Sequence, residues 1–135
     1  MAVEPRADGE SQEARRGGLA VAGRVKSVRF VDRKLFGAYQ SLKQGRTEER
    51  ALAENLDFAI AQLKANPFCG VKIPRKLWPK KYVSEYGISN LWKYDLPKGW
   101  RLVYTIAGNR IEIISILLEW FDHKGYEKRF GYRVG

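Results

Sequence analysis

The stretch "WRLVYTIAGNRIEIISILLEW", residues 100–120, decides how this chain must fold. Arg101, Val103 and Thr105 alternate with Leu102, Tyr104 and Ile106. That is the period of two a strand requires, because successive side chains point to opposite faces. Gly108–Asn109 is a turn signal, and the run that follows is apolar on both faces, as a central strand is. Just upstream, "LWKYDL" places Trp92, Tyr94 and Leu96 on one face and Lys93 and Asp95 on the other. Pro97-Lys98-Gly99 supplies the turn between them. The sequence therefore predicts an antiparallel β-meander.

Working towards the N-terminus, "VKIPRKLWPKKYVSEYGISN" (71–90) holds two prolines and no clean period, and reads mostly as loop. Leu52, Leu56, Ala59, Ile60 and Leu63 recur at helical spacing. Thr47 is the expected cap of that helix, Glu48 and Glu49 suit its first turn, and Pro67 ends it. A second helix is predicted before it, capped by Asp32, with Leu35, Phe36, Tyr39 and Leu42 on its apolar face and Gly45 as its stop. So short a link implies an antiparallel helical hairpin. "VKSVRFV" (25–31) is a β-branched strand. Residues 1–24 show no apolar period and read as a disordered tail, leaving 25–135 as the domain. The expected class is α+β: an N-terminal strand, the helical hairpin, then the meander. The helices pack on one face of the sheet, and the other face is left for a ligand.

At 135 residues there is room for one modest core, and 44% apolar with 30% charged residues describes a soluble globular chain. Cys69 and His123 are the only residues of their types. That excludes a disulfide framework and a His/Cys metal site, and fits a reducing, intracellular setting. No apolar run reaches the roughly 18–20 residues that cross a bilayer, and "GGLAVAG" is too short for a signal-peptide core. The expectation is a cytoplasmic protein with no membrane, metal or small-molecule cofactor. The net charge of +10 is concentrated beyond the tail, where residues 25–135 carry 21 basic and 11 acidic groups. Such a field favours a polyanion, whether nucleic acid or acidic protein; the plainer alternative is a lysine-rich soluble surface.

Three groups of residues could carry chemistry. The segment "VKIPRKLWPKK" brings Lys72, Arg75, Lys76, Lys80 and Lys81 together with Trp78 and no acid. It offers charge for phosphates and a ring for base stacking, or else it is a solvated loop with Trp78 in the core. Arg101 opens an apolar strand on the face shared with Lys93 and Asp95. It can hold a phosphate and the charge that builds up in a transition state, or simply pair with Asp95. His123 and Tyr126 follow the last strand at a spacing that shares a helical face, with Lys124, Lys128 and Arg129 keeping the surroundings positive; Lys98, in the turn before Arg101, is a further candidate RNA contact. Histidine can exchange a proton near neutrality, though a lone histidine on a basic tail is more often inert.

The centre "GWRLVYTIAGNRIEIISI", the order β-α-α-loop-β-β-β and the ending "HKGYEKRF" resemble the RelE/ParE superfamily of type II toxin–antitoxin toxins over about residues 25–132. The resemblance implies a metal-independent endoribonuclease, an mRNA interferase that cuts on the translating ribosome and inhibits translation. The ribose 2′-OH would attack the adjacent phosphate, giving a 2′,3′-cyclic phosphate and a 5′-OH. By the same resemblance Arg101 would stabilise the transition state, and Lys93 would bind phosphate or act as base. Tyr126 would orient the substrate or stack on a base, and His123 would be the general acid. Asp95 stands where RelE proper has a basic residue, and is either a carboxylate base or a counter-charge to Arg101. An acidic antitoxin is the implied protein partner, beside mRNA and the ribosome. Two other readings remain open: a ParE-type toxin that inhibits gyrase, and a non-catalytic basic RNA- or ribosome-binding module.

Overall fold

The structure, a computed structural model, describes residues 23–131. The expected tail thus lies outside the described residues apart from Gly23 and Arg24. The architecture is α+β. Strand β1 (Val25–Phe30) leads into helix α1 (Arg33–Lys43) and helix α2 (Thr47–Ala65). Short strands β2 (Val71–Lys72) and β3 (Trp92–Asp95) precede β4 (Arg101–Gly108), β5 (Glu112–Phe121) and helix α3 (His123–Phe130). One mixed sheet runs β1-β5-β4-β3-β2. β3, β4 and β5 form the predicted antiparallel meander, while β1 lies parallel to β5 at one edge.

Local chemistry explains the helices. Asp32 caps α1 as expected, its carboxylate accepting from the Leu35 amide at 2.9 Å. The expected Thr47 cap is corrected: Thr47 is the first helical residue and Arg46 is the cap position. Glu49, three residues on, reaches back to accept from the Arg46 amide at 2.7 Å, so an acid in the first turn holds the cap residue's own amide. The apolar stripe of α2 (Leu52, Leu56, Ala59, Ile60, Leu63) is buried against Val28, Phe30, Leu102, Tyr104 and Leu117. Leu35, Phe36 and Leu42 of α1 pack on the same cluster.

The second face of the sheet is not open, which corrects the expectation of an uncovered ligand face. Ile73, Tyr82, Ile88 and Leu91 fold back over it, and Tyr126 and Phe130 of α3 complete a second cluster around Val103 and Leu118. A central strand that is apolar on both sides must bury both sides, and this segment and α3 are the material for the second. The stretch from 71 to 90 is accordingly more than loop. It holds β2, a 3₁₀ turn at Arg75–Leu77 and a π-helical turn at Tyr82–Tyr86.

An irregularity in β5 decides which side chains meet α3. Val103 pairs with Glu119 but Tyr104 pairs with Leu117, so Leu118 is an extra residue, a β-bulge. Leu117 packs in the first cluster and Leu118 in the second; after the bulge Trp120 returns to the first face and Phe121 to the second. Strict alternation would have kept Phe121 with Leu117. The bulge turns Glu119 and Phe121 towards α3.

Candidate functional site

Arg101, Lys93 and Asp95 converge at one corner of the second face. Asp95 and Arg101 are direct cross-strand partners, and Lys93 is two residues from Asp95 on the same strand. The Asp95 carboxylate lies between the two cations, 3.1 Å from Lys93 Nζ and 3.6 Å from Arg101 Nε. Its side chain is 59% exposed, so this acid sits at the mouth of the cluster with both cations behind it.

The turn from β3 to β4 holds the arginine's other end. Lys98 (φ 61°, ψ 32°) and Gly99 (φ 79°) take successive left-handed conformations in the three-residue loop Pro97–Gly99, which the Leu96 amide closes by donating to the Trp100 carbonyl at 2.8 Å. Gly99 suits it and Lys98 is strained in it. This presents the Gly99 carbonyl to Arg101, whose NH1 group donates to it at 2.9 Å. The guanidinium lies 5.0 Å from the Tyr126 ring centroid, in cation–π range. Phe121 and Phe130 pack on the same ring, centroids at 6.3 and 4.5 Å.

Helix α3 brings in the histidine. Asp122 caps it, accepting from the Gly125 amide at 2.8 Å. His123 is the first helical residue, and Gly99 lies beside it: a Cβ built on Gly99 would be 3.9 Å from His123 Cβ. Gly99 thus accepts from Arg101 and lies beside the base of the His123 side chain. The imidazole is 62% exposed, and its Nε2 lies 2.9 Å from the Glu127 carboxylate, one turn on. The two helical positions expected to act together have divided: His123 faces solvent, while Tyr126 is only 5% exposed. Tyr126 is thus too buried to stack on a base from solution, and instead forms the seat of Arg101. That corrects the stacking role expected of it.

A separate polar network ties α3 and the covering segment to the sheet. Glu119, with 20% of its side chain exposed, accepts from Tyr82 Oη at 2.5 Å. It also accepts from Arg129 Nε and NH2 at 3.1 Å each, and has Lys81 Nζ at 3.8 Å. Burial, reinforced by the bond to Glu119, pushes the Tyr82 hydroxyl far above the ordinary tyrosine range. Burial works against the Arg129 charge, but the paired carboxylate outweighs it and raises that group's pKa. Of the expected nucleic-acid contacts, Arg129 is hydrogen-bonded to Glu119 and Lys81 stands at ion-pair distance from it.

The other basic candidates are spread over the surface. Lys72, Arg75, Lys76 and Lys80 are exposed along the covering segment, and Lys98, Lys124 and Lys128 are exposed around the α3 corner. Trp78 is half-buried, its Nε1 donating to the Ile73 carbonyl at 2.9 Å, with Arg75 over its ring at 5.0 Å. Sequence reasoning passed over Glu119, Tyr82, Glu127 and Gly99. Two signals were present: Glu119 is a lone charge inside "ILLEWF", and Glu127 stands four residues after His123.

Among the described residues no helix is long and apolar enough to cross a membrane. In comparisons with family models, curated proteins and solved structures, none matches this chain.

Proposed function

We propose that this chain is a RelE-like toxin, an endoribonuclease that cleaves mRNA by 2′-OH attack and is held inactive in the cytoplasm by an acidic antitoxin. The observation that carries the reading is the corner where Arg101, seated on Tyr126 and bonded to Gly99, meets Asp95 and Lys93, with His123 beside the same Gly99. The α1–α2 pair, taken as the family's antiparallel hairpin, and the β3-β4-β5 meander agree with it. The 2′-oxygen forms a bond to phosphorus while the bond from phosphorus to the 5′-oxygen breaks. Arg101 and Lys93 hold the phosphoryl oxygens as charge builds on them. Once the phosphate takes over these two cations, Asp95 is released to accept the 2′-OH proton. His123, at the exposed start of α3, gives a proton to the departing 5′-oxygen, and Glu127 carries the counter-charge of the imidazolium. No metal takes part in these steps.

Expression of the chain alone, followed by mapping of mRNA ends, tests the reading. New ends carrying 5′-OH groups are expected. Arg101→Ala should reduce their rate by about 10²–10³-fold, the usual loss for a donor to a developing oxyanion. Asp95→Asn separates that acid's two roles: a base substitution abolishes cleavage, whereas loss of a mere counter-charge leaves it and tightens RNA binding. No new ends, or full activity in an Arg101→Ala, His123→Ala double variant, overturns the reading.

A second reading, a basic RNA- or ribosome-binding module without cleavage, is favoured by the engagement of His123 with Glu127 and of both site cations with Asp95. It gives strongly salt-dependent binding and no product ends. The ParE-type alternative is separated by supercoiling assays with purified gyrase.

A further inference from the structure

Away from the Arg101 corner, the covering segment forms a groove of about 370 Å³ lined by Arg75, Trp78, Lys80, Val83 and Ser84. That is the size of a small-ligand site. Its lining has two cations and no acid, and Val83 is an exposed apolar side chain on its wall. Trp78 is fixed by its bond to the Ile73 carbonyl, and Arg75 lies over the indole ring at 5.0 Å. We propose that this groove is a second subsite for single-stranded RNA, holding an unpaired base on the Arg75–Trp78 platform while Lys80 meets a flanking phosphate. The proposal rests on the reading of RNA as the substrate and extends it to a site that does no chemistry.

Charge complementarity and the aromatic platform together choose the occupant. A strand of RNA uses every group present: a π-face for the stacked base, cations for the phosphates, and the Ser84 hydroxyl at the base edge. An acidic peptide would use the cations and leave the stack idle. The position also fits. Lys81, next to Lys80, reaches Glu119, and Glu119 and Lys93 flank Val103 on the same face of the sheet. Strands lie about 4.8 Å apart, so Lys93 and Glu119, on either side of β4, stand on the order of 10 Å from each other. A site of this kind positions substrate and selects for unpaired bases, since a duplex cannot offer a free ring.

The test is equilibrium binding of the full chain to a 2′-O-methyl oligouridine, measured by fluorescence anisotropy across a salt series. This probe lacks the attacking hydroxyl, so binding is read independently of cleavage. An abasic oligonucleotide with the same backbone and length is the comparison. The wild-type chain is expected to bind the base-bearing strand at least about fivefold more tightly, the lower end of one stacked base. Arg75→Ala with Lys80→Ala, both at exposed positions, should remove most of that preference and lower the salt slope by about 0.7, the worth of the one Lys80 phosphate contact. Trp78→Phe should keep part of the preference, and Trp78→Ala should lose it. Equal wild-type affinity for the two strands overturns the proposal, as does an unchanged Arg75/Lys80 double variant. Tighter competition by polyglutamate than by oligouridine overturns it in favour of an acidic protein partner. If mRNA cleavage fails while base discrimination holds, the groove stands and the catalytic reading falls; the opposite pattern separates them the other way.

Discussion

The two faces of one sheet are held by different forces. On the first face, α1 and α2 bury Val28, Phe30, Leu56, Leu63, Leu102 and Leu117 in a largely apolar layer. A buried polar group there, the Tyr104 hydroxyl, donates to the Pro67 carbonyl at 2.8 Å and accepts from the Gly70 amide at 3.2 Å. Gly70 has to be glycine for this approach, since a Cβ there would stand 2.6 Å from that hydroxyl and 2.5 Å from the Lys93 carbonyl. On the second face the apolar cluster is joined by the Glu119 network and the Arg101 corner. Apolar area stabilises without fixing geometry, whereas hydrogen bonds and ion pairs fix geometry with little net stabilisation. The first face therefore stores stability, and the second holds charged side chains at defined positions.

That contrast can be broken from either side. Leu56→Ala on the first face should lower global stability by about 3 kcal/mol, read as a shifted denaturant midpoint, with exchange of all slow amides accelerated together. Glu119→Gln on the second face should cost about 2 kcal/mol, because it removes the charge that pairs Arg129 and weakens the bond from Tyr82. Its signature is local: amide exchange should rise in residues 123–130 and stay unchanged in α2. Equal acceleration in α2 would show the two faces to be one cooperative unit.

Alkaline pH sharpens the contrast further. Tyr82 and Tyr104 are both pushed far above the ordinary tyrosine range, mainly by burial. The unfolded chain releases these protons near pH ~10 while the folded chain keeps them. Stability is then intact below that pH and falls above it, by about 1.4 kcal/mol per pH unit for each group. Tyr82→Phe should remove one such contribution, about 1.4 kcal/mol per pH unit, from denaturation curves taken above pH ~10. The smallest effect belongs to the turn. Lys98→Asn relieves a left-handed lysine and should raise stability by about 0.5–1 kcal/mol, seen as a modest rise in Tm.

The first face was legible in the sequence almost residue by residue. Helical spacing picked out Leu52, Leu56, Ala59, Ile60 and Leu63, and alternation assigned Leu102 and Tyr104 to the same layer. At the candidate site, alternation also placed Lys93, Asp95 and Arg101 on one face, as their cross-strand pairing has them. The second face was not legible, because its cover comes from a segment with no period: Ile73, Tyr82, Ile88 and Leu91 are scattered among prolines and lysines. Tyr126 and His123 were singled out together, yet nothing in their spacing tells which is buried.

The sequence by itself determined the α+β class, the meander and the corner where Arg101 meets Asp95. Periodicity is a local property, and these features depend on it alone. Only the tertiary structure decided that the second face is closed, that Tyr126 seats Arg101, and that Glu119 anchors α3. The first depends on a covering segment without a period, and the other two on the extra residue Leu118, which reverses the alternation of β5. A bulge is set by how two strands and their covering layers fit together, and "SILLEWF" has no residue that announces one.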